Sequence, residues 1–285
     1  MEDQTQLLRK RVETALEAEG SKARTFCVTS GKGGVGKTSF SVNFALALAN
    51  RGKKTVILDG DFGFSNVNIM LGKNAKYSLE HVVCGQKKLS EVMEESYPGV
   101  WYISGGSGVA ELLRLRGGQM EEMIQQLGEL EQQMDYIIFD TGAGINGNIL
   151  RMIEASDQTI LITTPEPTSI LDGYVVIKTA SGLADRPDMS VVINKAASER
   201  EANVTYHSLA DVARKHLGYE LSMLGFIPAD KRITQSINSM EPYLRQYPSS
   251  LTAMQIQRIA DHVTKLQPVK RERGIYSFFR RLAKR

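Results

Sequence analysis

A glycine-rich segment, GKGGVGKT at residues 31–38, restricts the possible folds of this chain more than any other feature of the sequence. It fits the pattern G-x-x-x-x-G-K-[ST], and it lies between the apolar run 24–30 and a segment of helical periodicity. Glycines in such a segment let backbone N–H groups turn inward around phosphate oxygens, and the start of the helix adds positive potential. The segment therefore predicts a phosphate-binding loop between a buried strand and a helix.

This phosphate loop also predicts which side chains hold a nucleotide. Lys37 is expected to contact the β- and γ-phosphates, and the Thr38 hydroxyl to ligate Mg²⁺. We therefore expect a nucleotide with Mg²⁺ as the bound cofactors, and the residues that follow the strand at 189–193 favour ATP or ADP. The residues of this segment expected to bind the nucleotide are Gly31, Lys32, Gly33, Gly34, Val35, Gly36, Lys37, Thr38 and Ser39.

Apolar runs alternate with segments of helical period along the rest of the chain. The runs are rich in Val, Ile, Tyr and Phe and lie at 24–30, 55–59, 100–104, 136–140, 158–163, 189–194 and 222–227. This alternation predicts an α/β fold with a mostly parallel, doubly wound sheet that helices cover on both faces. Ligands of such sheets bind beyond the carboxyl ends of the strands, where the motifs of this chain fall.

The chain divides into three parts. An N-terminal helical segment is expected at 1–20, a single large α/β domain at 21–266, and a basic helical tail at 267–285. The two cysteines, Cys27 and Cys84, are typical of a reducing, cytosolic compartment. The charged first twenty residues do not predict a signal peptide, and no apolar run reaches the roughly 18 residues of a membrane span.

Acidic residues end two of the predicted strands. Asp140 follows the run YIIF, a pattern typical of an acid that reaches Mg²⁺ through water. Asp59 and Asp61 end the run TVIL, where one acid can join the metal shell and the other can orient the attacking water. Alone, each acid is more often a cap or turn residue, but a nearby phosphate loop favours the functional interpretation. We expect the metal ligands to be Thr38, Asp59 and Asp140.

The strand at 189–193 is followed by Asn194, Lys195, Ala196 and Ala197. GTPases with a phosphate loop of this kind carry Asn-Lys-x-Asp after such a strand and use the Asp to recognise guanine. Ala197 replaces the Asp that would pair with guanine, which favours ATP. Asn194 either faces the adenine through its amide or is a turn residue, and the sequence favours neither.

Lys32 makes the phosphate loop similar to the deviant Walker A motif of the MinD/ParA/nitrogenase-iron-protein class. The resemblance implies an ATP hydrolase that dimerises on ATP, with Lys32 reaching the partner's phosphates. It also implies that Asp61 holds the attacking water with help from Asn66, and that Pro228 lies beside the base. The implied catalytic residues are Lys32, Lys37, Asp61 and Asn66.

Two further segments resemble the FlhG/FleN (YlxH-type) group of this class. One is the sequence DTGAG that begins at Asp140, and the other is a DQxxxLR-like segment near the N-terminus. The resemblance implies regulation of flagellar number and placement, with basal-body components as partners. It also implies that residues 1–20 stimulate an FlhF-type GTPase, although a helix that packs on its own core is the plain alternative. The implied partner-binding residues are Asp3, Gln4, Leu7, Leu8 and Arg9.

The tail concentrates positive charge. Seven of the residues 270–285 are Lys or Arg, although the net charge of the whole chain is only +3. On a helix, an apolar face would form from Ile275, Phe278, Phe279 and Leu282, with Arg280, Arg281 and Lys284 opposite. Such a helix lies at an anionic membrane surface. The tail therefore predicts a cytoplasmic protein that associates reversibly with the inner face of the cell membrane, unless the tail docks on its own core.

Three other functions stay open at this point. The chain could be a MinD-type ATPase of the division site, a ParA-like ATPase that partitions DNA or cargo, or a nucleotide-gated scaffold with little turnover. A DNA partitioner needs a basic patch on its folded domain, whereas here the excess charge lies in the tail, so nucleic acid is not favoured as a partner.

Overall fold

One sheet of eight strands runs through the part of the chain that the computed structural model describes, residues 23–61, 67–105 and 118–265. Its order is β3-β4-β2-β5-β1-β6-β7-β8, and every pair of neighbours is parallel except β3 and β4. The strands are β1 (Arg24–Thr29), β2 (Thr55–Gly60), β3 (Glu94–Tyr97), β4 (Val100–Ile103), β5 (Tyr136–Thr141), β6 (Gln158–Thr163), β7 (Met189–Ala196) and β8 (Ser222–Pro228). The predicted α/β fold with a mostly parallel sheet is confirmed.

Helices cover both faces of this sheet. Those in the described residues are α1 (Lys37–Ala49), α2 (Val67–Met70), α3 (Leu79–Val83), α4 (Leu89–Val92), α5 (Gly118–Gln133), α6 (Gly147–Ala155), α7 (Pro167–Ser181), α8 (Glu199–Leu217), α9 (Lys231–Asn238), α10 (Tyr243–Gln246) and α11 (Leu251–Lys265). Because both faces are covered, β1, β2, β5 and β6 are buried at every residue. This burial explains why the strands read as continuous apolar runs.

Alternate residues of β2 belong to two different apolar clusters. Ile57 packs in the cluster that contains Phe44 of α1 and Ile259 of α11. Val56 packs in the other cluster, with Ile153 of α6. Successive side chains of a strand point to opposite faces, so the two clusters lie on the two sides of the sheet.

β3 is an antiparallel edge strand that the apolar runs did not reveal. Its sequence, EESY, is polar and only partly buried. An edge strand pairs with a neighbour on one side only, so it can carry polar residues that a central strand cannot. A tight turn leads from β3 into β4, and Gly99 takes a left-handed φ of 81° there.

Three predicted features lie outside the described residues: the N-terminal segment 1–20, Asn66 and the basic tail 267–285. Of the helices that the structure does describe, none is both long and apolar enough to cross a bilayer.

Candidate nucleotide-binding and catalytic site

The phosphate loop joins β1 to α1 at the carboxyl edge of the sheet, between strands β5 and β6. Gly36 is the N-cap of α1 and has a left-handed φ of 99°, a conformation that glycine adopts without steric penalty. A Cβ atom built at Gly31 would lie 2.2 Å from the backbone of Asp172 in α7, so a larger residue does not fit there. The two glycines therefore allow the tight path and the close packing that a phosphate-binding loop needs.

Lys37, the first residue of α1, is buried beneath this loop. Burial lowers the pKa of its ammonium group, and the carboxylates of Asp140 and Asp61 oppose that shift. The ammonium thus lies among carboxylates at the start of a helix, where an incoming phosphate would add negative charge. This position fits the predicted contact of Lys37 with the β- and γ-phosphates.

Asp59 and Asp140 lie side by side because β2 and β5 pair in register at these two residues. Both are buried, and the Asp140 Oδ1 atom accepts a hydrogen bond of 2.8 Å from the Ser41 hydroxyl. Burial raises the pKa of Asp140 to about 6, although hydrogen bonds from Thr38 and Ser41 oppose the shift. Ser41 was not predicted; its spacing of three residues from Thr38 on α1 was the available signal.

These oxygen atoms fit a magnesium ion. Mg²⁺ prefers one or two carboxylates together with phosphate oxygens and water, and Thr38, Asp59 and Asp140 offer such donors. Among the described residues, the buried Oδ2 atom of Asp140 has no hydrogen-bond partner, so it can accept one from a water in the shell of the ion. No group of three or more acidic, His or Cys side chains in the described ranges could hold a metal without other ligands. Phosphate oxygens of a bound nucleotide would complete the ligands of such an ion.

Asp61 lies next to this group of residues, just beyond the end of β2. Its backbone N–H donates to Asp59 Oδ1 over 3.2 Å, and a Cβ built at Gly142 would lie 3.0 Å from Asp61 Oδ1. Asp61 is thus directed toward the loop that follows β5. The structure brings together Thr38, Lys37, Asp59, Asp61 and Asp140, whereas Asn66 lies outside the described residues.

Lys32 lies at the rim of the site and is bound within its own chain. Its Nζ atom lies 3.1 Å from Glu166 Oε2 and 3.0 Å from the Thr168 hydroxyl, both at the start of α7. About 40% of the Lys32 side chain and 62% of the Glu166 side chain are exposed, so an approaching molecule can reach both. Sequence reasoning did not identify Glu166 or Thr168, because no local pattern near residue 32 points to them.

Asn194 contacts the phosphate loop directly. Its Nδ2 atom donates to the carbonyl of Val35 over 2.6 Å, and its Oδ1 atom accepts from the N–H of Lys195 over 2.9 Å. Pro228 lies nearby, because β8 pairs with β7 so that Pro228 is opposite Ala196. The side chain of Asn194 is therefore engaged by the protein, whereas the adenine contact predicted for Asn194 and Pro228 stays a prediction.

The loop after Pro228 is held by Asp230, which sequence reasoning missed. Asp230 caps α9 and accepts hydrogen bonds from the side chains of Arg232, Tyr243 and Thr252. The Arg232 guanidinium, and then the other donors, hold the pKa of Asp230 well below its usual range. One carboxylate thus joins the end of β8 to α10 and α11.

Comparisons with known proteins agree with this geometry. The family model described as "ParA: NUBPL iron-transfer P-loop NTPase" matches residues 22–264. The antiactivator FleN of Pseudomonas aeruginosa is 31% identical over 90% of this chain and 91% of its own. The flagellum site-determining protein YlxH of Helicobacter pylori is 33% identical over 90% of this chain and 88% of its own.

A solved structure shares the fold. The septum site-determining protein MinD of Pyrococcus horikoshii, complexed with Mg-ADP, superposes with a TM-score of 0.66. It is 23% identical, and the match covers 88% of this chain and 99% of that one. The expected cofactors, ATP or ADP with Mg²⁺, are those of this class. From its phosphate loop, its paired carboxylates and these relatives, we conclude that the chain is an ATP hydrolase of the FlhG/FleN group in the MinD/ParA family of P-loop ATPases.

Proposed function

We propose that this ATPase dimerises on ATP at the inner face of the cell membrane and controls the number and placement of flagella. The flagellar part rests on the two relatives named for flagellar regulation and flagellum siting, each of which matches about 90% of the chain. The dimerisation part rests on one observation: Lys32 is exposed at the rim and contacts Glu166 and Thr168.

Lys32 is free to change partners at small energetic expense. Exposed ion pairs such as Lys32–Glu166 contribute about 0–1 kcal/mol, so the phosphates of a second subunit can compete for the ammonium. Beside this pair, α7 exposes Leu171 and Val175, which are 63% and 43% accessible. A second subunit that approached Lys32 along α7 would cover these apolar side chains, which favours a face-to-face dimer.

Hydrolysis then uses the residues at the carboxyl edge of the sheet. Lys37 contacts the β- and γ-phosphates, and Thr38, Asp59 and Asp140 hold Mg²⁺, which neutralises phosphate charge when bound. Asp61 orients the attacking water and is itself steadied by its backbone hydrogen bond to Asp59. In the dimer, Lys32 of each subunit supplies positive charge to the phosphates of the other.

The two ends of the chain connect this cycle to partners. Residues 267–285 follow α11 and carry the apolar and basic faces that suit an anionic lipid surface. Residues 1–20, with Gln4 as the key residue, stimulate an FlhF-type GTPase. Neither segment belongs to the described residues, so these two roles rest on sequence and resemblance.

Two variants test the dimerisation cycle. Asp61→Ala is expected to slow hydrolysis and to accumulate the ATP-bound dimer, measured as phosphate release and as molecular mass by light scattering. Lys32→Ala is expected to bind ATP but to stay monomeric with little turnover. Lys54→Ala serves as the matched control, because Lys54 is exposed at the amino edge of the sheet, away from the site. A Lys32→Ala protein that dimerised on ATP as the wild type does would exclude the role of Lys32 in the partner's site.

A further inference from the structure

Two carbonyl groups on the outer side of the phosphate loop each receive a hydrogen bond from the end of β7. The Lys195 Nζ atom donates to the carbonyl of Gly34 over 2.7 Å, and the Asn194 amide donates to that of Val35 over 2.6 Å. A loop that turns its N–H groups toward phosphate turns carbonyl groups away from it, and a buried carbonyl such as that of Val35 needs a donor. Here residues about 160 positions later in the chain supply the donors.

Lys195 adopts an unusual backbone conformation that brings its side chain to the loop. Its φ is 59°, in the left-handed region that a residue with a side chain rarely occupies. The pairing of β7 with β8 shifts between Asn194 and Ala196, so Lys195 is the extra residue of a β-bulge. Bulges redirect side chains and are frequent beside active sites. The conformation therefore serves the contact with Gly34.

The same bulge also orients Asn194. The Lys195 N–H donates to Asn194 Oδ1, which turns the amide nitrogen toward the loop. A Cβ atom built at Gly36 would lie 2.4 Å from Asn194 Nδ2, so the loop and the end of β7 are in close contact. The glycine at position 36 leaves room for the Asn194 amide, and a shift of either side would break the hydrogen bonds between them.

We infer that Asn194 and Lys195 form a loop clamp that holds the phosphate loop in its binding shape before the nucleotide arrives. They are positioning residues for ATP hydrolysis, because they act through the backbone of Gly34 and Val35 and not on the reacting atoms. Preorganisation of this kind strengthens binding by reducing the entropy lost when the nucleotide orders the loop. Once phosphate oxygens accept from the loop N–H groups, they impose the same shape themselves.

The loop clamp predicts a separation between binding and turnover. In Lys195→Met, which keeps the length of the side chain but removes its charge, Kd for ATP and for ADP should both rise about tenfold. KM should rise with them, whereas kcat should stay near the wild-type value. Hydrogen–deuterium exchange of residues 31–36 should be faster than in the wild type without nucleotide and equal to it at saturating ATP.

Two further variants separate positioning from simple stability. Lys195→Gly removes the same hydrogen bond but relieves the left-handed backbone, so it should weaken binding as Lys195→Met does without lowering Tm. Lys54→Met, at the opposite edge of the sheet, should change neither binding nor exchange.

Several results would overturn the loop clamp. Unchanged exchange of residues 31–36 in the nucleotide-free Lys195→Met protein would show that the loop keeps its shape without Lys195. A loss of ATP affinity with unchanged ADP affinity would mean that Lys195 contacts the γ-phosphate instead. A fall in kcat at unchanged KM would make its role a catalytic one. The exchange comparison of nucleotide-free protein and the affinity for ADP do not depend on dimerisation driven by ATP, so these two measurements test the loop clamp separately from the proposed function.

Discussion

Lys32 and Lys37 belong to the same eight-residue segment, yet the structure gives their ammonium groups different surroundings. Lys37 is buried near Asp140 and Asp61, whereas Lys32 is partly exposed and pairs with Glu166. These surroundings suit the proposed roles, in which Lys37 contacts the nucleotide of its own subunit and Lys32 contacts that of a second subunit. The difference arises from the path of the loop. Lys32 lies early in the loop and its side chain extends to the start of α7, whereas Lys37 is the first residue of α1 and is buried.

Glu166 competes with the partner's phosphates for Lys32 in the cycle that we propose. Glu166→Gln removes the competing charge from both subunits, so the ATP-bound dimer should form at a protein concentration about two- to thirtyfold lower, the range for two exposed ion pairs. Sedimentation velocity over a dilution series with ATP measures this shift. Glu80→Gln, at an exposed carboxylate on α3, should leave the dimer unchanged. Weaker dimerisation of Glu166→Gln would instead make Glu166 part of the interface.

The three helices that follow β8 are joined by hydrogen bonds to the carboxylate of Asp230. Asp230 begins α9 and accepts from Tyr243 of α10 and Thr252 of α11. Next to Tyr243, the Leu244 N–H donates to Asn43 Oδ1 of α1, the helix that starts at the phosphate loop. The loop beside the predicted base site is therefore braced against the helix that carries Lys37.

Asp230→Asn should lower stability in a pH-dependent way. Its carboxylate pKa is held below the usual value of 3.8, so its contribution is complete above about pH 4 and declines as the pH falls below that. At pH 7 the variant should be less stable by about 2 kcal/mol, with Tm lower by about 5 °C. Thermal unfolding of the wild type and of Asp230→Asn at pH 7, 4 and 3 should show that their difference in Tm is smaller at pH 3 than at pH 7.

A second carboxylate provides the control for Asp230. Asp211 pairs with Arg214 at 2.6 Å, but both side chains are about 60% exposed. Asp211→Asn should therefore change stability by less than about 0.5 kcal/mol at every pH. If Asp230→Asn and Asp211→Asn changed stability by the same amount, the hydrogen bonds to Asp230 would contribute no more than a surface ion pair.

At the scale of the whole molecule, α11 connects the nucleotide site to the start of the tail. Arg51 follows α1 and donates to Asp261 Oδ1 and to the carbonyl of Gln257, both on α11. α11 also packs on α1 and β8. The last described helix before the tail is thus fixed to the helix that begins at the phosphate loop, which suits the proposal that ATP binding controls membrane contact.

The tail prediction can be tested with matched charges. Phe278→Asp with Phe279→Asp places two carboxylates on the predicted apolar face, so the protein should no longer sediment with anionic vesicles in the presence of ATP. Ser277→Asp, compared with Phe278→Asp alone, adds one charge on the opposite face and should weaken binding only partly. Wild-type binding should fall as salt rises, because salt screens the basic residues. Equal sedimentation of the wild type and the phenylalanine double variant would remove the tail from the mechanism.

Local sequence patterns determined the fold class and the central part of the site. Buried strands read as apolar runs because helices cover both faces of the sheet, and the phosphate loop is a contiguous motif whose backbone geometry depends on its own glycines. Asp59 and Asp140 could be predicted together because parallel strands end at one edge. The polar edge strand β3 escaped detection, since it lacks the apolar signal on which such reasoning depends.

Only the tertiary structure decided which distant side chains support the motif. Glu166 and Thr168 meet Lys32 from more than 130 residues away, and Lys195 meets Gly34 from 161 residues away. These contacts depend on the strand order, which sets β6 beside β1 and β7 beside β6, and on a bulge in the pairing of β7 with β8. The sequence by itself determined where phosphate binds, because that information is local. The hydrogen bonds that hold the loop and occupy Lys32 come from tertiary packing, which no local pattern encodes.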